Sequence, residues 1–147
     1  MTTGSGTRRF EGLAPDVGAF LIRLMLSVVF VYHGSQKLFG AFGGPGLKGF
    51  SGFLASLGVP APEVGAVLAG AAEFLGGLAL LTGIGLRLLS LPLVITMLVG
   101  CFTAHAGKFS VQNGGMEYAL TLAVVVAGMA LIGPGSWTLP RIVRAKT

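Results

Sequence analysis

The chain has 147 residues and a formal net charge of +5, with 53% hydrophobic residues and only 10% charged residues. An ordinary soluble domain carries about 25% charged residues, and a domain of this length has too little interior to hide so much apolar surface. The composition therefore excludes the usual soluble enzyme classes and favours a helical membrane protein.

The first 39 residues predict a polar tail followed by a membrane span. Residues 1–16 are polar and rich in Gly and Thr, and the apolar run at 17–39 is long enough to cross a bilayer. A signal peptide has a short apolar core followed by a small-residue cleavage site. Because this run is full length and ends in a polar segment, we interpret it as a retained span.

The next element is predicted to be a short helix that does not span. Residues 40–46 form a glycine-rich turn, and apolar residues at 47–57 then recur at helical spacing. The segment is too short to cross a bilayer, so we expect an interfacial or re-entrant helix on the outer face. The remaining spans are predicted at 63–81, 86–105 and 116–132, followed by a basic tail at 136–147.

The predicted fold class is therefore all-α, a polytopic four-helix membrane bundle with one short helix between spans one and two. Positive residues accumulate on the cytoplasmic side of membrane proteins. Three lysines fall on the side of the short helix, whereas the opposite side carries Arg8, Arg9, Arg87, Arg141, Arg144 and Lys146. We therefore expect both termini to be cytoplasmic and the basic tail to contact anionic lipid rather than nucleic acid.

Two ionisable residues lie within predicted spans, Arg23 in the first and Glu73 in the second. A charge in hydrocarbon costs several kcal/mol, roughly 2.5–3.5 on insertion scales, so it normally faces a partner or a cavity. We predict that Arg23 and Glu73 form an intramembrane ion pair. The pair either belongs to a functional cavity or only fixes the register of the two helices.

A second polar group is expected near the outer face. His33 and Lys37 lie one turn apart on span one, while His105 ends span three and Glu117 begins span four. Together they could relay a proton or hydrogen-bond the carbonyls of a quinone. Each could equally be a polar side chain at the membrane–water boundary. Two histidines from different helices, with no HxxxH or HExxH spacing, make a poor metal site, and we predict none.

Other chemistries find little support in the sequence. Cys101 is the single cysteine, so the chain cannot form an internal disulfide or act alone as a dithiol oxidoreductase. The glycine-rich segment does not follow a strand or open a phosphate-binding helix, which argues against a nucleotide site.

The ordered series of these motifs resembles the DoxX family over about residues 17–132. The resemblance marks Tyr118, beside Glu117, as a further member of the polar pocket. It is carried by Arg23, the segments at 33–39, 58–60, 73–77 and 83–87, and His105, Glu117 and Tyr118.

This resemblance implies a four-helix protein of the bacterial cytoplasmic (inner) membrane. The wider group includes a DoxD-like subunit of thiosulfate:quinone oxidoreductase, proteins of methylamine dehydrogenase maturation, and a mycobacterial membrane oxidoreductase complex. It makes quinone, or a similar hydrophobic molecule, the expected ligand and a redox protein the expected partner.

Three functions are compatible with the sequence. The first is the membrane subunit of a quinone-linked redox complex, an accessory role because no residue here can carry electrons. The second is a non-enzymatic scaffold or assembly factor. The third is a small proton-coupled transporter, for which four spans would require a homodimer.

Overall fold

A computed structural model describes residues 4–144, with side chains from Leu13 onward. Over this range every regular element is helical and no strand is present, which confirms the all-α class. Two short 3-10 turns lie at Ala41–Gly43 and Val111–Asn113. The α-helices are α1 (Gly4–Phe39), α2 (Gly46–Ser56), α3 (Pro62–Thr82), α4 (Leu86–Phe102), α5 (Glu117–Ile132) and α6 (Leu139–Arg144).

Apart from shifts of one residue, the helices differ from the predicted elements at three places. Helix α1 begins at Gly4, within the predicted polar tail. Hydropathy indicates which part of a helix can contact lipid, but polar residues before that part can belong to the same helix. Helix α4 ends at Phe102, and residues 103–107 form a turn. Helix α6, in the basic tail, was not predicted.

Helices α1 and α3 pack closely and antiparallel through small residues. A Cβ atom added at Gly34 would lie only 2.5 Å from the backbone nitrogen of Phe74, and one added at Gly77 would lie 2.8 Å from that of Val31. Such contact needs glycine, because any side chain would force the two backbones apart. These contacts set Gly34 opposite Phe74 and so fix the register of the two helices.

The core continues from α3 to α4 and then to α5, which also touches α1. Helix α3 is joined to α4 by a tight turn in which Gly83 (φ 77°) and Gly85 (φ 63°) adopt the left-handed conformation that glycine tolerates best. The buried apolar cluster contains Ala19, Leu26, Phe30, Leu80, Leu86, Leu93, Leu122, Val126 and Met129.

Two ends of the helix assembly carry the polar residues. We call one the clasp end, formed by residues Asp16 to Arg23 of α1, the 83–85 turn and the 133–138 segment. We call the other the cavity end, formed by the last turns of α1, helix α2, the first half of α3, the last turns of α4 and the start of α5.

The exposed surface is that of a membrane protein rather than of a soluble one. Residues Leu13–Phe39 of α1 and Pro62–Thr82 of α3 are long and apolar enough to cross a bilayer, with only 28% and 39% of their apolar windows buried. A core helix of a soluble protein would be mostly buried. Helices α4 and α5, of 17 and 16 residues, are apolar but shorter, so the four-span topology stays a prediction.

Candidate functional site

A cavity of about 550 Å³ opens at the cavity end. This volume lies within the usual range for small-molecule sites, about 300–1,000 Å³. Most of its wall is apolar and comes from α1, α2, α3, α4 and the start of α5. Its ionisable or aromatic polar lining residues are His33, Lys37, Glu73, His105 and Tyr118.

Glu73 is the buried anion of this cavity. Its side chain is 1% exposed, and its Oε1 accepts a hydrogen bond from Lys37 Nζ in a salt bridge. Lys37 is 23% exposed and stands 5.2 Å from the centroid of the Phe50 ring. Among the described residues no group hydrogen-bonds the other carboxylate oxygen, Oε2. A buried acceptor of this kind normally has a partner, so Oε2 keeps an unused acceptor position beside the cavity.

The predicted ion pair between Arg23 and Glu73 is wrong. Gly83 of α3 lies level with Arg23, since a Cβ added there would be 3.2 Å from Arg23 Nη1. Ten residues separate Gly83 from Glu73, about 15 Å at 1.5 Å per residue. Lys37, which the sequence assigned to the outer polar group, lies at the level of Glu73 and takes the carboxylate instead.

Arg23 belongs to the clasp end. Its side chain is completely buried, and its guanidinium donates to the carbonyl oxygens of Pro134 and Trp137, the latter at 2.8 Å. It also lies 5.9 Å from the centroid of the Phe20 ring. Arg23 therefore ties α1 to the segment after α5, and it does not line the cavity.

The two histidines have neighbouring hydrogen-bond partners. His105 Nδ1 lies 2.8 Å from the carbonyl oxygen of Gly114, and His33 Nδ1 lies 3.2 Å from Gln36 Oε1. Because a backbone carbonyl can only accept, Nδ1 of His105 donates the hydrogen bond to Gly114. The remaining nitrogen, Nε2, is then an acceptor in the neutral ring.

Glu117 and Tyr118 are adjacent but differ in position. Glu117 Oε1 accepts a hydrogen bond of 2.7 Å from the backbone nitrogen of Val111, so it braces the loop before α5. It does not line the cavity. Tyr118, half exposed, does line it. Whether any of these residues acts as a ligand or proton relay stays a prediction.

Sequence reasoning missed the cavity wall contributed by α2. Phe50, Phe53, Leu54 and Leu57 all line the cavity, and all four belong to the helical repeat that predicted the helix. That repeat predicts an interfacial or re-entrant helix, and the same apolar face also covers the cavity. Within residues 13–144, whose side chains the structure describes, no cluster of three His, Cys, Asp or Glu side chains is placed to hold a metal ion.

Comparisons with known proteins add a family and one relative. A family model described as DoxX matches residues 18–106. A curated protein of Bacillus subtilis (strain 168), named "Putative oxidoreductase CatD", is 24% identical over 110 residues, covering 75% of this chain and 76% of the relative. No solved structure matches the chain.

Proposed function

Because this chain belongs to the DoxX family of membrane proteins, as its motifs predicted, we propose that it binds a quinone or a similar small hydrophobic molecule in the cavity. In this role it is the membrane subunit of a redox complex. The observation that carries the proposal is a largely apolar cavity with the Lys37–Glu73 pair in its wall, where Glu73 Oε2 has no hydrogen-bond partner among the described residues.

The cavity suits a ring with polar substituents. About 550 Å³ accommodates a single ring system with a short chain. Phe50, Phe53 and Tyr118 supply aromatic wall, while Lys37, Glu73 and His105 supply the few polar groups that fix orientation. The proposal also agrees with the word oxidoreductase in the name of the Bacillus relative.

We place the protein in the bacterial cytoplasmic membrane with four spans and both termini in the cytoplasm. The clasp end carries Arg87 and the basic residues of α6, so it would face the cytoplasm by the positive-inside rule. The cavity would then open toward the outer leaflet. Since the chain holds no thiol pair and no motif for a flavin or heme, electrons would pass between the bound quinone and a partner protein.

A matched pair of glycine substitutions tests occupancy of the cavity. Gly100 lines it and Gly128 does not, yet a Cβ added at either position would meet no atom within 4 Å. Gly100→Leu should therefore fill part of the cavity without disturbing packing, while Gly128→Leu makes the same chemical change on the neighbouring helix. Each protein is purified in mild detergent, and its lipophilic molecules are extracted and quantified by mass spectrometry.

We expect quinone at near one molecule per chain in the wild type and in Gly128→Leu, and a reduction of at least fivefold in Gly100→Leu. Equal quinone in all three proteins would mean that the molecule is carried by detergent and not by the cavity. No small molecule in any of them, with a partner protein recovered from each, would favour the membrane scaffold instead.

A further inference from the structure

We propose that the cavity selects the reduced, hydroxyl-bearing form of its ligand, a quinol or related phenol, over the oxidised quinone. This inference rests on the proposed function and concerns the hydrogen-bond polarity of the same cavity. It begins with Glu73 Oε2, an acceptor that is buried and has no hydrogen-bond partner among the described residues.

A quinol can satisfy this oxygen and a quinone cannot. The carboxylate is salt-bridged to Lys37 through Oε1, and a carboxylate accepts hydrogen bonds and donates none. A quinol hydroxyl can donate to Oε2, and a hydrogen bond to a buried charged acceptor is among the strong ones. The quinone has only carbonyl acceptors, so its oxygen would face Oε2 with no hydrogen between the two acceptors.

His105 adds a second acceptor to the cavity wall. It lines the cavity and uses its Nδ1 proton on the carbonyl oxygen of Gly114 at 2.8 Å. In the neutral ring this leaves Nε2 as an acceptor. Glu73 and the neutral ring of His105 therefore both accept hydrogen bonds, and a para-quinol carries a hydroxyl at each end of its ring.

The opposing donor is Lys37, which offers protons that a quinone carbonyl could accept. One of them is already used by Glu73 Oε1, and the ammonium stands over the Phe50 ring. A quinone would gain a bond at Lys37 while leaving Oε2 unsatisfied. A quinol hydroxyl can accept from Lys37 and donate to Oε2 at once, so the reduced form makes the larger number of bonds.

The test compares three probes of nearly the same shape. Purified protein in nanodiscs is titrated anaerobically with a short-chain naphthoquinone, with its quinol, and with the quinol dimethyl ether, which keeps the ring and lacks both hydroxyl protons. We expect the quinol to bind at least tenfold more tightly than either of the others. Equal affinity for quinol and ether would overturn the inference.

The Glu73→Gln variant supplies a second, directional test. Lys37 should hold the amide oxygen where Oε1 was, so that the amide NH₂ group takes the place of Oε2 and offers a donor to the cavity. The preference should then fall at least tenfold, towards the quinone. The control is Glu117→Gln, a carboxylate at the same end that does not line the cavity, and its preference should equal that of the wild type.

The outcomes separate the two proposals. If quinone and quinol bind equally to the wild type and Gly100→Leu weakens both, the cavity is a quinone site without redox selectivity, and only this inference fails. If no probe binds, the proposed function itself fails. Should Glu73→Gln not fold, the wild-type comparison of quinol with its ether still decides the question.

Discussion

Among the described residues, the clasp end and the cavity end each hold one fully buried charged side chain, and the two have different surroundings. Arg23 donates through its two Nη atoms to backbone carbonyls of the segment after α5, and its Nε has no partner among the described residues. Glu73 has a salt-bridge partner on one oxygen and no partner among the described residues on the other. Each side chain thus keeps one unpaired polar atom, but Glu73 lines the cavity and Arg23 does not.

This difference separates a structural charge from a functional one better than burial does. Both side chains are essentially inaccessible, at 0% and 1% exposure, so burial alone would rank them together. What distinguishes them is that Glu73 belongs to the wall of the cavity and Arg23 does not. Substitutions at the clasp end should therefore change stability, and those at the cavity end should change binding as well.

The largest effect is expected for Arg23→Met. The substitution keeps most of the apolar volume but leaves the carbonyls of Pro134 and Trp137 without their charged donor. Hydrogen bonds to charged groups contribute about 1.5–3 kcal/mol each, so unfolding free energy should fall by about 3–6 kcal/mol. Thermal unfolding followed by the fluorescence of Trp137, the single tryptophan, measures this directly.

The control for Arg23 is Arg87→Met, an exposed arginine at the same end. It should change the unfolding free energy by less than about 0.5 kcal/mol. Two results would contradict a purely structural role for Arg23. One is an unfolding free energy of Arg23→Met equal to that of the wild type. The other is a loss of ligand from Arg23→Met without a loss of unfolding free energy.

The second effect concerns the pair at the cavity end. Lys37→Met leaves the carboxylate of Glu73 buried without a counter-charge, which typically costs about 3–5 kcal/mol. Adding Glu73→Gln to it removes that charge, so the double variant should be more stable than Lys37→Met alone. Reversible unfolding of the wild type, Lys37→Met, Glu73→Gln and the double variant in mixed detergent gives the coupling energy of the pair. Strict additivity of the two substitutions would contradict the salt bridge.

Much of the helical pattern could be predicted because it depends on local composition. The apolar runs, the breaks at glycine and proline, and the short amphipathic helix before Pro60 are all properties of neighbouring residues. The boundaries of α2 and α5 differ from prediction by one residue each. The start of α1 could not be found in this way, since the polar residues before Leu13 have no apolar signature.

The partner of each buried charge could not be predicted, because it depends on the register between helices. Depth counted from predicted span ends placed Arg23 and Glu73 within reach of each other. The real register is set by the contact of Gly34 with Phe74, and a single sequence does not reveal which of 25 glycines makes such a contact. The contacts of the clasp end join residues more than 100 positions apart, so no local pattern in the sequence indicates them.

The third prediction tests that register. Gly34→Ala would put a Cβ atom 2.5 Å from the backbone nitrogen of Phe74, next to Glu73, so α1 and α3 must separate. Overpacking of this kind costs about 1–3 kcal/mol. Because the displacement lies beside the Lys37–Glu73 pair, ligand affinity should fall together with the melting temperature.

The matched control is Gly18→Ala on the same helix, where an added Cβ atom meets nothing within 4 Å. Alanine is the better helix former by about 0.8–1 kcal/mol, so this variant should be as stable as the wild type or slightly more so. If both substitutions behaved alike, the close approach of α1 to α3 at Gly34 would be refuted.

The smallest effect is expected at the rim of the clasp. Asp16 Oδ1 accepts a hydrogen bond of 2.7 Å from the backbone nitrogen of Ser136, and this contact is only half-buried. Asp16→Ala should lower the melting temperature by less than Arg23→Met, Lys37→Met or Gly34→Ala does, whereas Asp16→Asn keeps an oxygen acceptor and should lower it less still. Neither should alter quinone content per folded chain, because this rim lies at the opposite end from the cavity.

A loss of ligand in Asp16→Ala that exceeds its loss of folded protein would show that the two ends are coupled. The division of the molecule into a structural end and a ligand-binding end would then have to be abandoned.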